Sequence, residues 1–320
     1  MTPVFADFDT GVDDAVALVY LLASSDAELV GIAATGGNVA VQQVCRNNLA
    51  LLELCGATGV PVSKGADEPL NGPARTAVNL HGPQGLGYAE LPPGTGQLTG
   101  SDAAAAWVAA AREHPGRLIG LATGPLTNLA LALRAEPALP TLLRRLVIMG
   151  GAFSGERSGW AEFNIGFDPE AAAEVFAAWG AVAPQRLPIV CGLDLTRHIA
   201  ITPAILARLA QSAGHPIVRM INDALRFYFE AHEARGHGYL AYLHDPLAAA
   251  VALEPTLVTT RPAAVRVELV PGDARGRTIP DWDTAQPNAL VGVGVDPTVF
   301  FNRFVQRVGA FAGSLAPRDD

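Results

Sequence analysis

Short apolar runs and amphipathic runs alternate along most of this chain. Residues 3–9, Pro-Val-Phe-Ala-Asp-Phe-Asp, hold apolar side chains at nearly successive positions. That is the pattern of a short strand buried on both faces. Ala15-Val-Ala-Leu-Val-Tyr-Leu-Leu follows and predicts a helix over about 13–24. The alternation continues with a strand over 27–37, a helix over 41–55 and a short strand over 60–64. An Ala-rich helix over 102–113 precedes a strand over 117–123, and a helix over 127–135 precedes a strand over 145–149. Asp168 caps a helix over 169–179, and a strand over 188–194 comes next. Repeated strand–helix pairs imply an α/β fold: an open, mostly parallel sheet, mixed at its edge, with helices on both faces. No repeat, linker or shift in composition divides residues 1–320, so a single domain is expected.

Two segments break the alternation. Residues 79–100 are crowded with Gly and Pro and follow neither period. Long irregular loops inside compact domains often serve as lids. The second segment is a helical run from Ile217 to Tyr242 that ends in Ala-Arg-Gly-His237-Gly-Tyr239. Its glycines can end a helix, and its 226–243 part makes a second candidate lid.

The chemistry concentrates where the first strand hands over to the first helix. Asp7, Asp9, Asp13 and Asp14 fall within eight positions. Such a handover is a common ligand position in open α/β folds. Like charges so close repel unless protons or a cation compensate, and an oxygen-only cluster favours a hard cation such as Ca²⁺ or Mg²⁺. Other strand exits carry polar groups: Thr35-Gly-Gly-Asn38, Thr123-Gly-Pro-Leu-Thr127-Asn128, Glu162-Phe-Asn164 and His244-Asp245-Pro246. Each has a plain alternative. Asn38 can support a left-handed turn, Thr127 or Asn128 can cap a helix, and Asp245 before Pro246 can be an N-cap. Their recurrence at one edge of the sheet points to a shared site.

Charge and composition narrow the function classes. The formal charge is −9 and Lys64 is the only lysine, so no basic tract exists for nucleic acid. No apolar run reaches membrane-spanning length, and the start lacks the pattern of a signal peptide. Cys45, Cys55 and Cys191 match no zinc spacing and suit free thiols in a reducing cytoplasm, the expected location.

Asp7-Phe-Asp9-Thr-Gly-Val-Asp13-Asp14-Ala resembles the N-terminal motif of the inosine-uridine preferring nucleoside hydrolase family. Gly36-Gly-Asn38, His81-Gly82, Thr123 to Asn128, Met149-Gly-Gly151, Ala161 to Asn164, Asp168 to Ala172, Gly192-Leu-Asp194 and His244-Asp-Pro246 follow in family order. The resemblance runs from residue 1 to beyond 290 and implies a Rossmann-like nucleoside hydrolase fold. It also implies hydrolysis of the N-glycosidic bond of ribonucleosides to free base and ribose, in salvage. By this resemblance one Ca²⁺ is held by Asp9, Asp14, the Thr123 carbonyl and Asp245, and Asp9 takes the proton of a water on the metal. Asp245 also binds ribose, and Asp13, Asn38, Glu162 and Asn164 orient it. His244 protonates the departing base, His81 lies near the base, and Asp7 is a structural acid behind the site. His232, His237, Tyr239 and Tyr242 are candidates to close over the base. A homodimer or homotetramer is the family's usual assembly.

Two positions depart from the family pattern. Glu156, in Gly155-Glu-Arg157, stands where the family usually has an asparagine for the ribose 5′ hydroxyl, so an atypical ribosyl compound is an alternative substrate. Histidine rather than tryptophan precedes Asp245, as in the less selective and pyrimidine-accepting branch. Two further alternatives are a haloacid-dehalogenase-like phosphatase built on Asp7-x-Asp9, and a scaffold that binds a ribosyl ligand without turnover. Against the first, Gly11 stands where that pattern has Thr or Val; against the second, Asp9, Asp14, His244 and Asp245 are all present.

Overall fold

The computed structural model describes residues 1–153, 161–212 and 215–315. Nine strands form one sheet: β1 (Thr2–Phe8), β2 (Ala27–Ala34), β3 (Val62–Lys64), β4 (Ile119–Ala122), β5 (Arg145–Met149), β6 (Ile189–Cys191), and, after a separate pair, β9 (Val258–Val267), β10 (Thr278–Asp281) and β11 (Ala289–Val295). The separate pair, β7 (Ala200–Ile201) and β8 (Ala241–Tyr242), is antiparallel. Across the main sheet the order is β10-β9-β11-β6-β5-β4-β1-β2-β3. From β3 to β11 neighbouring strands run parallel; β9 is antiparallel to both β11 and β10. The expected mostly parallel sheet with a mixed edge is therefore what forms.

Side chains of β1 divide by parity, as a strand requires. Val4, Ala6 and Phe8 enter one apolar core, shared with the helices Val12–Leu22, His244–Leu253 and Pro297–Ser314. Phe5 enters the other, shared with the helices Ala103–Glu113, Thr127–Ala135 and Pro169–Trp179. Helices thus cover both faces, and β1 is buried throughout its last six residues.

The strand order reverses at β1, which pairs with β2 on one side and β4 on the other. The helices that follow β1 and β4 join different cores, on opposite faces of the sheet, and the crevice between their starts is the usual ligand position in such sheets. Asp9 and Thr123 follow those two ends directly.

Several sequence expectations are corrected. The run from Ile217 to Tyr242 is not one helix: Pro216–Glu233 is helical, a turn with Gly236 and Gly238 at positive φ follows, and β8 ends the segment. Residues 79–100 are not wholly irregular, because Val78–His81 makes one helical turn. Asp245 is not an N-cap; Leu243 holds that position, and Asp245 lies in the first turn of His244–Leu253. Neither Thr127 nor Asn128 caps its helix, which starts after Leu126. Asp168 does cap its helix, accepting from the Ala171 N–H at 3.0 Å.

The strands β9 and β10 escaped sequence reading because Pro262 and Pro280 interrupt them. Proline is tolerated at sheet edges. β10 is the outermost strand, and it pairs with β9 only over 264–267, so Pro262 has no strand on that side.

Candidate active site

Four aspartates converge at the crevice, and local structure explains each. Val12–Leu22 begins at Gly11, and Asp14, at the third helical position, accepts from the Gly11 N–H at 2.9 Å. This bond back to the helix start fixes the Asp14 side chain. The Thr123 hydroxyl donates to Asp14 Oδ1 (2.7 Å) and the Asn38 amide to Oδ2 (3.2 Å). Asp9 Oδ2 accepts from the Asn38 backbone N–H at 2.8 Å. A side chain at position 37 would collide with the Asp9 carboxylate, so only glycine admits this approach. Asp13 and Asp14 on one helix and Asp245 on another all occupy first turns, where the helix dipole favours negative charge.

Carboxylate oxygens of Asp13, Asp14 and Asp245 lie within 4.8 Å of one another. Asp9 stands outside that trio but close enough for mutual repulsion. Burial, then the charge of Asp14, pushes Asp13 up to about 8. Burial first, then neighbouring acids, raises Asp9 and Asp245 well above the usual carboxylate range. After burial, the charge of Asp13 is the largest influence on Asp245. Asp9 Oδ1 and Asp13 Oδ1 are buried without a hydrogen-bond partner among the described residues. Unpaired buried carboxylate oxygens are costly, and an oxygen-only set of this kind fits a hard divalent cation. The residues present therefore suit a metal.

Asp7 has a different environment. Thr35 and Asn128 (3.0 Å) donate to its Oδ1 and the Trp107 indole N–H to its Oδ2 at 2.8 Å. Burial raises it to about 6 against these lowering bonds. It belongs to the layer behind the site.

A cavity of about 270 Å³ opens above the acids. Asp13, Asp245, Asn38 and Thr123 form its floor, while Asp9 and Asp14 lie beneath. Glu162 lines it as an N-cap whose carboxylate accepts from the backbone N–H groups of Gly151, Asn164 and Ile165 at 2.9–3.1 Å. That acid is largely committed to backbone. Asn164 gives its amide N–H to the Thr123 carbonyl at 2.6 Å and to the Met149 carbonyl at 3.2 Å.

The rest of the wall is aromatic and imidazole. Tyr228 packs 5.2 Å from His81 and 4.5 Å from His232 between ring centres; Tyr242 packs 5.3 Å from His232 and 5.8 Å from His244. His81 Nδ1 accepts from the Val12 N–H at 3.0 Å, so its proton resides on Nε2. Burial pushes His81 down to about 3. His244 shares a 2.7 Å hydrogen bond between its Nδ1 and the Thr196 hydroxyl. Burial, with smaller contributions from His232 and Arg197, lowers it to about 3. His237 also lines the cavity; Tyr239 does not, and packs on Phe229 at 5.3 Å. Glu156 lies outside the described residues.

Sequence reading missed Tyr228, Thr196 and Arg197, all at or beside this cavity. Tyr228 stands four positions before His232, a spacing that puts both on one helix face. Thr196 and Arg197 come two and three positions after the Gly192-Leu-Asp194 strand exit.

Residues 4–302 match the family model described as inosine-uridine preferring nucleoside hydrolase. The chain belongs to this family. It is 36% identical over 316 residues to the pyrimidine-specific ribonucleoside hydrolase RihA of Enterobacter sp. (strain 638), covering 97% of this chain and 98% of that one. Uridine nucleosidase 1 of Arabidopsis thaliana is 35% identical over 289 residues, 88% of this chain and 84% of that one. A purine-preferring ribonucleoside hydrolase from Gardnerella vaginalis superposes with a TM-score of 0.89 at 34% identity, over 97% of this chain and 99% of that one. This nucleoside hydrolase is thus an enzyme, and the phosphatase and non-catalytic alternatives are set aside. No helix among its described residues is long and apolar enough to cross a membrane.

Proposed function

We propose that this nucleoside hydrolase cleaves the N-glycosidic bond of ribonucleosides in a Ca²⁺-dependent reaction, with Asp9 as the base. The observation that carries this reading is the buried acid cluster at the strand-order reversal, with two carboxylate oxygens lacking partners beneath a cavity walled by aromatic rings. Asp9, Asp14, Asp245 and the Thr123 carbonyl would hold the cation. A bound Ca²⁺ supplies a positive charge that offsets the acids' repulsion and makes water more acidic.

The chain's own residues divide the remaining work. Asp9 has one oxygen anchored by the Asn38 N–H and one without a partner, and the free oxygen accepts the proton of the attacking water. Asp13 accepts a ribose hydroxyl at the cavity floor, beside Asn38 and Asn164. The transition state is oxocarbenium-like, and the acids stabilise the positive charge that grows on the sugar.

The imidazole wall receives the base. Burial keeps His244 neutral, so its role is hydrogen-bond donation from Nε2 when the Thr196 hydroxyl donates to Nδ1. His81, with its proton on Nε2, is a second donor of the same kind. Stacking against Tyr228 and Tyr242 suits either a pyrimidine or a purine.

A second assignment of the base has one observation in its favour: Asp13 lines the cavity and Asp9 does not. The first test is release of ribose from uridine, cytidine, inosine, adenosine and p-nitrophenyl riboside by metal-free and Ca²⁺-loaded protein. Release that needs the cation is expected. Equal release by metal-free protein would sink the cation requirement, and no release from any of the five would sink the ribonucleoside assignment.

A further inference from the structure

One buried amide joins the acid turn to the loop that carries His81. Asn47, on the helix Val41–Leu54, donates from Nδ2 to the Thr10 carbonyl at 3.1 Å and to the Gln84 carbonyl at 2.8 Å. Its Oδ1 accepts from the Gln43 amide, one helical turn earlier, at 2.9 Å. Both N–H groups and the oxygen are thus engaged, and a reversed amide would set its oxygen against two carbonyls. The neighbouring Asn48 accepts from the Thr10 hydroxyl at 2.6 Å, so Thr10 is held at its carbonyl and at its side chain.

Thr10 stands between Asp9 and the helix start at Gly11, and Gln84 comes three residues after His81. The chain between His81 and Gln84 is tightly turned. The Gly85 N–H donates to the Gly82 carbonyl at 3.1 Å, and the Gly87 N–H donates to the His81 carbonyl at 2.8 Å. A shift at Gln84 is therefore carried to His81. Gly85 has φ +83°, and a Cβ there would meet the Thr10 carbonyl at 2.9 Å and Asn47 Nδ2 at 3.0 Å. Only glycine lets the loop come this close to the acid turn. On the cavity side, His81 accepts from the Val12 N–H at 3.0 Å. That bond holds one edge of the ring, and Asn47 holds the loop from which the ring hangs.

The reaction proposed above gives this clamp a use, and the following rests on that reading. There the acids hold the sugar, and His81 donates from Nε2 to the departing base. Breaking the C1′–N bond sends its electron pair to the base, so the donor must stand at a fixed distance from the acids that anchor the sugar. A misplacement of about 1 Å costs on the order of 100-fold in rate. We propose that Asn47 is a positioning residue for this reaction. By clamping the Thr10 and Gln84 carbonyls together, it sets how far His81 Nε2 stands from the sugar-binding acids. Asn47 does not line the catalytic cavity, so it acts on the base through His81.

The test is a double-mutant cycle on kcat/KM with wild type, Asn47→Ala, His81→Ala and the double variant. Two ribosides are compared: the better of uridine and inosine, and p-nitrophenyl riboside, whose leaving group departs as a stable anion without a donor. Asn47→Ala should lose about ten-fold on the nucleoside and less than about three-fold on the aryl riboside. Added to His81→Ala, it should cost less than about two-fold more on the nucleoside, because the group it positions is already gone. A residue that only supports the fold would cost the same in both backgrounds and on both ribosides. Either of those equalities overturns the assignment, as does full nucleoside activity of His81→Ala. Asn47→Asp keeps the size and the bond from Gln43 but, ionised, offers no hydrogen to either carbonyl, and it replaces Asn47→Ala in the cycle if that variant does not fold. Failure of both variants to fold makes Asn47 a support of the fold and overturns the assignment too. Wild-type protein that releases ribose from neither riboside overturns the hydrolase reading instead.

Discussion

Five buried acids in and behind one crevice differ mainly in how many partners each has. Asp7 and Asp14 have hydrogen bonds to both carboxylate oxygens, whereas Asp9 and Asp13 each keep one oxygen without any. A carboxylate oxygen of Asp245 lies within 4.8 Å of oxygens of Asp13 and Asp14. Partnered oxygens hold geometry; unpartnered ones are available to a cation, a water or a sugar hydroxyl. This distinction separates Asp9 from Asp13 by experiment. Asp9→Asn keeps size and can still accept from the Asn38 N–H, so the fold should survive. Its kcat should fall by about 100-fold or more, within the usual range for loss of a general base, and the rise of activity with pH should flatten. Asp13→Asn should raise KM more than it lowers kcat, because it loses a binding contact. Steady-state ribose release across pH checks both. If instead Asp13→Asn abolishes the pH dependence and Asp9→Asn keeps it, Asp13 is the base.

At the scale of elements, the two candidate lids are one packed unit. The Tyr88 hydroxyl bonds to Glu230, its ring sits edge-on to Phe227 at 5.1 Å, and Arg226 lies 4.8 Å above it. Arg235 bridges from the helix end to the Asn79 carbonyl. The loop is also tied to the acid turn, because the Asn47 amide donates to both the Thr10 and Gln84 carbonyls (3.1 and 2.8 Å) and His81 accepts from Val12. Gly87 is where this packing is tightest. It has φ +59°, and a Cβ there would meet the Ala224 carbonyl at 2.7 Å and Phe227 Cβ at 2.8 Å. Gly87→Ala should destabilise the protein by about 1–3 kcal/mol through strain and overpacking. It should also raise KM by moving His81 relative to Tyr228. Thermal melting and substrate titration read the two effects, and an unchanged KM would disconnect the loop from binding. Both segments were visible in the sequence as breaks in period. Their mutual packing was not, because Tyr88 and Phe227 lie far apart in the chain and neither carries a motif.

For the whole molecule, what was legible follows from how local each signal is. The acid turn could be read because strand, turn and helix are contiguous and the sheet order reverses where they meet. The base side draws Thr196 and Arg197 from one short turn and Tyr228 from a distant helix, and only the fold brings them to His244 and His81. Such a cluster of acids also couples the stability of the entire protein to pH and metal. A carboxyl whose pKa is raised by folding stabilises the native state below its unfolded value, near 3.8, and loses that contribution as pH rises through its folded value. Asp13 is raised to about 8, and Asp9 and Asp245 well above their ordinary value, so metal-free protein should weaken as pH rises toward about 8. His81 and His244 act in the opposite sense, because their folded values are lowered to about 3. Their contribution is complete above an unfolded histidine's value near 6.5, so the acids dominate from about pH 6.5 to about 8. In that window the melting temperature of metal-free protein should fall by several degrees. A cation binds only deprotonated carboxylates, so added Ca²⁺ should stabilise more at the upper end of the window than at the lower. Melting curves with and without Ca²⁺ measure this directly. A metal-free melting temperature that stays flat or rises, or an equal Ca²⁺ gain at both ends, would mean that these carboxylates already share their charge with groups other than a cation.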